Sequence, residues 1–281
     1  KFVEKPFKQI WIVGSGSSYN GALCGRDFVK QVLGVDVRII TPATFTHFEN
    51  DITEDDFVFV VSQTGYSTNA LAALELIKSK GLYAIGVTGD VESDFASVCD
   101  LVVDYGMGIE TVHYVTKGVS TFAAFLFMFA CEAAKVLGKM SESEVEKTYR
   151  DMLSIVDQHP AMIASANQWF ETNVKEFSSM HVLFLCSYGS NFGTIYEGAL
   201  KISETVHIPA FPLEAEEFIH GPFLQVNPSY TLLFLDTGAQ GSDRLRSIYT
   251  ASKMMTDHTF LVTDQDMGED KHALQLMKTP N

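Results

Sequence analysis

Glu197, Lys201 and Glu204 recur at i, i+4 and i+7 within YEGALKISE, residues 196–204. At helical spacing the three side chains project from one face. Two carboxylates flanking one ammonium, with His220 on the following turn, make a kit for moving protons. The same spacing also describes an ordinary surface ion pair, worth roughly a few tenths of a kcal/mol. Local sequence leaves both readings open.

A second chemically suggestive stretch is Ser62-Gln63-Thr64-Gly65-Tyr66-Ser67, hydroxyl and amide side chains placed where a strand gives way to a helix. Hydroxyls, exposed backbone N–H groups and the positive end of a helix dipole together suit a phosphate. A plain Ser/Thr-capped helix would look the same. Ser17 and Ser18 follow an earlier strand in the turn Gly14-Ser15-Gly16. That turn lacks GxGxxG spacing and no acidic residue ends the second strand, so no dinucleotide cofactor is expected. Without an HExxH or clustered His/Cys pattern no metal is implied. Without a GxSxG elbow, Ser15 and Ser17 are not read as nucleophiles. His47 and His113 are read as packing or surface residues.

The elements that must position these residues follow an α/β pattern. Continuous apolar runs at Gln9–Val13, Val37–Ile40, Phe57–Val61, Tyr83–Val87 and Leu101–Val103 alternate with helical patterns, implying a parallel sheet covered on both faces. Two polar helices, about 141–156 and 162–177, read as a connector. The strand–helix pattern then restarts, with strands expected at Val182–Leu185, Thr231–Leu235, Phe260–Val262 and Ala273–Lys278. Gly16-Ser17 matches Gly189-Ser190, and Thr64-Gly65 matches Thr237-Gly238, each pair 173 positions apart. This predicts two copies of one α/β unit. The expected domains are 1–140 with the Ser/Gln/Thr loop, a helical connector at 141–178, and 179–281 with the acid/base helix. The gapless match sets Leu235 and Asp236 opposite Ser62 and Gln63, and a carboxylate there would repel a phosphate.

The net charge of −15 argues against nucleic acid and against an anionic membrane as partners. The apolar core of the most hydrophobic helix, Phe122–Cys131, is too short to span a bilayer and reads as buried. Four cysteines without CxxC spacing read as reduced core residues. No signal peptide is visible, and a cytoplasmic location is expected.

With these motifs in place, the chain resembles double SIS (sugar isomerase) domain proteins. It is similar to the isomerase half of glucosamine-6-phosphate synthase and to the fructosamine-6-phosphate deglycases. The resemblance is carried by Gly14–Gly21, Ser62–Ser67, Glu110–Lys117, Gly189-Ser190 and Glu197 through His220-Gly221-Pro222. It implies two tandem SIS domains, each a mostly parallel sheet sandwiched by helices. It implies that Ser17, Ser18, Ser62, Gln63, Thr64 and Ser67 hold a sugar phosphate. Glu204 matches the base that moves a proton between C1 and C2, and Lys201 a lysine that handles protons at the sugar oxygens. Glu197 matches a residue that orders this face, and His220 a ring-opening histidine donated by the other subunit of a homodimer.

The departures matter as well. No glutamine-hydrolysing domain precedes residue 1, and the chain stops just after its last expected strand, before any tail lysine able to form a Schiff base. Within the 281 residues given, the second domain is expected to be C-terminally incomplete, or that lysine unused. His113 and Val115 stand where the family has smaller residues, which disfavours an unmodified hexose phosphate. Phe223 after His220-Gly221-Pro222 favours the deglycases, whose substrate already carries an amine at C1. The expected activity is C1/C2 enolisation of an amino-sugar or sugar-amine 6-phosphate with release of the amine. The alternatives are an aldose–ketose isomerase or synthase-type isomerase domain, and a non-catalytic sugar-phosphate sensor.

Overall fold

The strand Gln9–Val13 shows in miniature how the first half of the chain is built. Its side chains alternate, so Ile10 and Ile12 enter one apolar core while Trp11 and Val13 enter another on the opposite face of the sheet. A strand apolar on both sides needs helices on both sides, and the sequence supplies them. The computed structural model describes residues 7–108, 110–112, 114–238 and 240–278, so His113 lies outside the described residues. The chain divides into two compact units, Lys1–Val145 and Glu146–Asn281. The second takes in most of the segment read from sequence as a connector.

Unit 1 runs β1 (Gln9–Val13), α1 (Ser17–Leu33), β2 (Asp36–Ile40), α2 (Pro42–His47), β3 (Asp56–Val61), α3 (Thr68–Ser79), β4 (Ile85–Thr88), α4 (Phe95–Val98), β5 (Leu101–Asp104) and α5 (Lys117–Val136). Its sheet is parallel throughout, in the order β2-β1-β3-β4-β5. One core gathers α1 and α5 residues such as Ala22, Val29, Phe122 and Leu126 against Ile10, Ile12 and Phe59. The other sets Phe45 of α2 and Leu74 and Ile77 of α3 against Trp11, Val58 and Val60.

Helix α5 is long and apolar enough to cross a membrane, longer in this respect than its Phe122–Cys131 run suggests. Phe122, Leu126, Ala130 and Ala134 nevertheless bury in the unit 1 core, as the sequence predicts. The α1–α5 contact depends on Gly21 and Gly25, one turn apart. A Cβ added to Gly25 would stand 2.7 Å from Leu126 Cδ1 and 2.8 Å from its Cβ. Replacing Gly25 by alanine is therefore expected to cost about 1–3 kcal/mol through overpacking. Urea denaturation should show a lower midpoint with an unchanged slope.

The polar connector differs from its sequence reading. A single helix, α6 (Glu142–Thr172), spans it with Pro160 inside, followed by the short α7 (Val174–Ser178). Proline removes one backbone hydrogen bond, and the helical pattern on either side is strong enough to carry the helix through. The break falls instead at Asn173, whose buried side chain donates to the carbonyls of Trp169 and Lys271.

Unit 2 continues with β6 (Leu183–Ser187), α8 (Phe192–Thr205), β7 (Ala210–Glu214), α9 (Ala215–His220), β8 (Thr231–Asp236), α10 (Ser242–Ser252), β9 (Thr259–Thr263) and β10 (Ala273–Gln275). Its strands are parallel in the order β7-β6-β8-β9-β10, the same permutation as in unit 1. β7 was not expected from sequence, and the bounds of the expected strands shift by one to three residues, most at β10, which ends at Gln275 rather than Lys278. Leu232 and Phe234 face one core and Leu233 and Leu235 the other. The fold is thus α/β, with two parallel five-stranded sheets flanked by helices.

Candidate functional site

In unit 1 the ends of β1 and β3 bring two helix N-termini together around a cavity of about 200 Å³. Ser17, Ser18, Ser62, Gln63, Thr64 and Ser67, the residues singled out from sequence, all line it. Neither α1 nor α3 has a side-chain cap at its N-terminus, so their first N–H groups are not taken up in that way. Gly16 precedes α1 at φ 54° and Gly65 bends the loop at φ 71°, conformations that favour glycine. The backbone N–H of Gly65 donates to Ser62 Oγ at 3.1 Å, and that hydroxyl donates to Ser67 Oγ at 3.1 Å. Among the described residues no lysine or arginine lines the cavity, and those that do line it offer an anion neutral donors and helix dipoles.

Sequence reasoning did not assign Ser15 or Asn69 to this site, whereas Val115, which the family resemblance put near the sugar, does line the cavity. Asn69 Nδ2 donates to Ser15 Oγ at 3.1 Å and ties the two helix starts together. Its place two residues after Ser67, inside the first turn of α3, was the available signal.

The residues that the sequence reading singled out for proton transfer, Glu197, Lys201 and Glu204, sit on α8 in unit 2. Lys201 Nζ lies 2.5 Å from Glu204 Oε2 and 3.4 Å from Glu197 Oε1. Lys201 and Glu197 are the more enclosed, with side chains 18% and 13% exposed, while Glu204 keeps 35%. Ion pair and acid/base kit are therefore one arrangement: the ammonium neutralises both carboxylates and leaves Glu204 the more open to a ligand. Lys201 also lines an apolar groove with Trp169, Phe177, Ile202 and Leu233, which limits how much water can screen these pairs. His220 ends α9 in an exposed position, immediately before Gly221-Pro222. Glu214 caps that helix, accepting from the N–H groups of Glu216 and Glu217.

The cysteines take no part in either group. None of the four is in a disulfide, Cys131 and Cys186 are buried, and burial with the charge of Asp100 pushes the Cys99 thiol up to about 11. His47 is exposed at the end of α2, against Phe48.

Comparison with known proteins bears on this architecture directly. The family model for the SIS domain matches residues 6–136. Residues 6–136 are a SIS domain. The chain is also 27% identical over 242 residues to a glutamine–fructose-6-phosphate aminotransferase (isomerizing) of Clostridium tetani, covering 84% of this chain and 39% of that protein. It therefore spans about two fifths of the length of that relative. Among solved structures, a Clostridium difficile protein with a provisional phosphosugar isomerase name superposes at a TM-score of 0.90 with 25% identity, covering 98% of this chain and 78% of that one. The C-terminal domain of glucosamine-fructose-6-phosphate aminotransferase from Francisella tularensis superposes at 0.84 with 18% identity, over 98% and 78%. The chain is thus similar to the isomerase domains of those aminotransferases and to a structure with a phosphosugar isomerase name.

Unit 2 repeats the strand order of the SIS domain, but its turn after β8 is built around a carboxylate. Asp236, its side chain 1% exposed, accepts from Gly238 N at 3.0 Å, from Ser242 Oγ, and from Arg246 Nη1 at 2.5 Å. Ser62 in the SIS domain likewise accepts from a loop glycine and contacts a serine at the following helix. By hydrogen bonding Asp236 is the counterpart of Ser62, not of Gln63 as the gapless sequence match has it. The reason is a one-residue offset: Thr64-Gly65 and Thr237-Gly238 stand 173 apart, whereas in the sheets Val61 pairs with Val87 and Leu235 with Val262, which sets Asp236 opposite Ser62, 174 positions away. Asp236 supplies its own anion to this turn, with Arg246 as counterion. The expectation that the carboxylate disfavours a phosphate there keeps its physical basis.

Proposed function

We propose that the chain is a tandem pair of SIS domains acting on an amino-sugar or sugar-amine 6-phosphate by C1/C2 enolisation and release of the amine. The observation that supports this most is the unit 1 cavity, where serine, threonine and glutamine side chains gather at two helix N-termini. A dianionic phosphate needs several donors at once, and this set provides them. Ser17, Ser18, Ser62, Gln63, Thr64 and Ser67 bind it, and Glu204 is the base.

With a ketose that carries an amine at C1, Glu204 takes a proton from C1 while the C2 carbonyl oxygen gains one, giving an enaminol. Lys201, held against Glu204, stabilises the charge that develops on the sugar oxygens. Return of a proton to C2 leaves an imine at C1. Water adds there and the amine departs, leaving an aldose phosphate. Glu197 holds Lys201 in place, and His220, contributed by a second subunit of a cytoplasmic homodimer, opens the sugar ring.

The test is to incubate the protein separately with fructoselysine 6-phosphate, glucosamine 6-phosphate and fructose 6-phosphate, assaying hexose phosphate and free amine. Amine release from the first is expected. Interconversion of hexose phosphates without amine release would move the reading to an aldose–ketose isomerase. Binding without turnover of any of the three would make the chain a sugar-phosphate sensor.

A further inference from the structure

We propose that Glu110 is a positioning residue for the phosphate cavity, acting through the side-chain amide of Gln63; this rests on the sugar-phosphate reading of unit 1. Glu110 lies in the segment between β5 and α5, far from Gln63 in sequence. Its two oxygens divide their work. Oε1 accepts from the backbone N–H groups of Thr116 and Lys117, both at 2.9 Å. Oε2 accepts from the N–H of Gly118 at 3.0 Å and from Gln63 Nε2 at 2.9 Å. One carboxylate thus closes the start of α5 and fastens it to the loop that follows β3. Burial works against its charge, but the Thr116, Gly118 and Lys117 N–H groups outweigh that, so Glu110 titrates below the ordinary glutamate value. It is an anion at neutral pH.

An anionic carboxylate only accepts hydrogen bonds, so Gln63 must turn its NH₂ group toward Glu110. That settles which way the amide faces in a residue that lines the phosphate cavity. The second N–H of the same nitrogen then remains available to an anion. Without Glu110 the amide could reverse and present its carbonyl oxygen, an acceptor, where a phosphate needs a donor. The backbone of Gln63 is fixed independently, its carbonyl accepting from Gly89 N at 2.9 Å and Thr88 Oγ1 at 3.2 Å. Orientation of the amide is therefore what Glu110 controls. Space is tight around the junction: a Cβ on Gly118 would stand 3.2 Å from both Gln63 Nε2 and Glu110 Oε2, and 2.9 Å from Val115 Cγ1. Val115 itself lines the cavity.

A double-mutant cycle separates this role from a structural one. The variants are Glu110→Gln, Gln63→Ala and both together, with Ser67→Ala as a control, titrated calorimetrically with fructose 6-phosphate. Glutamine at 110 must turn its own NH₂ toward one of the two donor pairs and so breaks half the junction. Glu110→Gln alone should raise Kd about tenfold, the size of effect expected for a misplaced charge-assisted donor. In the Gln63→Ala background the same change should alter Kd less than about twofold, because distant or independent effects add whereas effects through a shared partner do not. Wild-type protein that binds and is weakened by Ser67→Ala, but in which Glu110→Gln has no effect or acts by the same factor in both backgrounds, overturns this role and leaves the sugar-phosphate reading intact. Wild-type protein that binds none of fructose 6-phosphate, glucosamine 6-phosphate and fructoselysine 6-phosphate overturns both. If Glu110→Gln does not fold, Glu110→Asp takes its place in the cycle, since it keeps the charge near α5 but draws it back from Gln63.

Discussion

Glu204→Gln should lower the turnover of a sugar-amine 6-phosphate by roughly 10²–10⁴-fold, the range over which a positioned general base contributes. The substitution is isosteric, so shape and packing on α8 are conserved, but an amide cannot accept the C1 proton. Affinity should change little, because the phosphate-binding residues proposed here belong to the cavity of the SIS domain. A fall in kcat with Kd for fructose 6-phosphate held within about threefold is the expected signature of an interaction made only in the transition state. Lys201→Met supplies the complementary test. It removes the ammonium 2.5 Å from Glu204 and 3.4 Å from Glu197, leaving two carboxylates without their shared counterion. Turnover should fall again, and the two changes combined should cost little more than the larger alone, as for groups that act as a unit. Full turnover by Glu204→Gln would remove Glu204 as the base.

The features easiest to read from sequence were those written in local periodicity. β1 is apolar at every position after Gln9, so it had to lie inside a sheet covered on both faces, and Trp11 and Ile12 do lie in opposite cores. The face shared by Glu197, Lys201 and Glu204 followed from helical geometry alone, and the ion pairs are those the spacing implies. Two kinds of information were harder to extract. Pro160 looks like a helix break but is carried within α6, because one missing hydrogen bond does not outweigh strong helix formation on both sides. The match of Asp236 with Ser62 was hidden by a one-residue offset that only strand register and hydrogen bonding expose. Glu110 belongs with these: it lies in a quoted segment, yet nothing in its neighbours announces that its partner is Gln63. Contacts between distant segments are set by topology, and single-sequence periodicity does not encode them.

Gly65→Ala should be the most damaging single substitution in the phosphate loop, costing about 2–5 kcal/mol from two additive sources. The first is backbone strain. Gly65 sits at φ 71°, where an L-residue pays about 1–2 kcal/mol. The second is overlap: the new Cβ would stand 1.8 Å from Ser93 Oγ and 2.6 Å from Ser93 Cβ. Rotation of the Ser93 hydroxyl relieves the first contact but not the second, and Ser93 is buried with its Oγ donating to the Asp90 carbonyl at 2.6 Å. The loop must move, and Gly65 carries with it the N–H that holds Ser62 and, through Ser62, Ser67. Weaker binding of fructose 6-phosphate should therefore accompany the lower urea midpoint. Gly238 in unit 2 provides the comparison. Its φ is 74°, so strain is the same, but its added Cβ would meet the end of a side chain, Asp264 Oδ2 at 2.8 Å, which can swing away. Gly238→Ala should cost only the strain. Adding Ser93→Gly to Gly65→Ala should recover the overlap energy and bring its cost down to that of Gly238→Ala, while the strain remains. A Gly65→Ala protein as stable as wild type, or one that Ser93→Gly does not rescue, would show that the Gly65–Ser93 contact does not fix this loop.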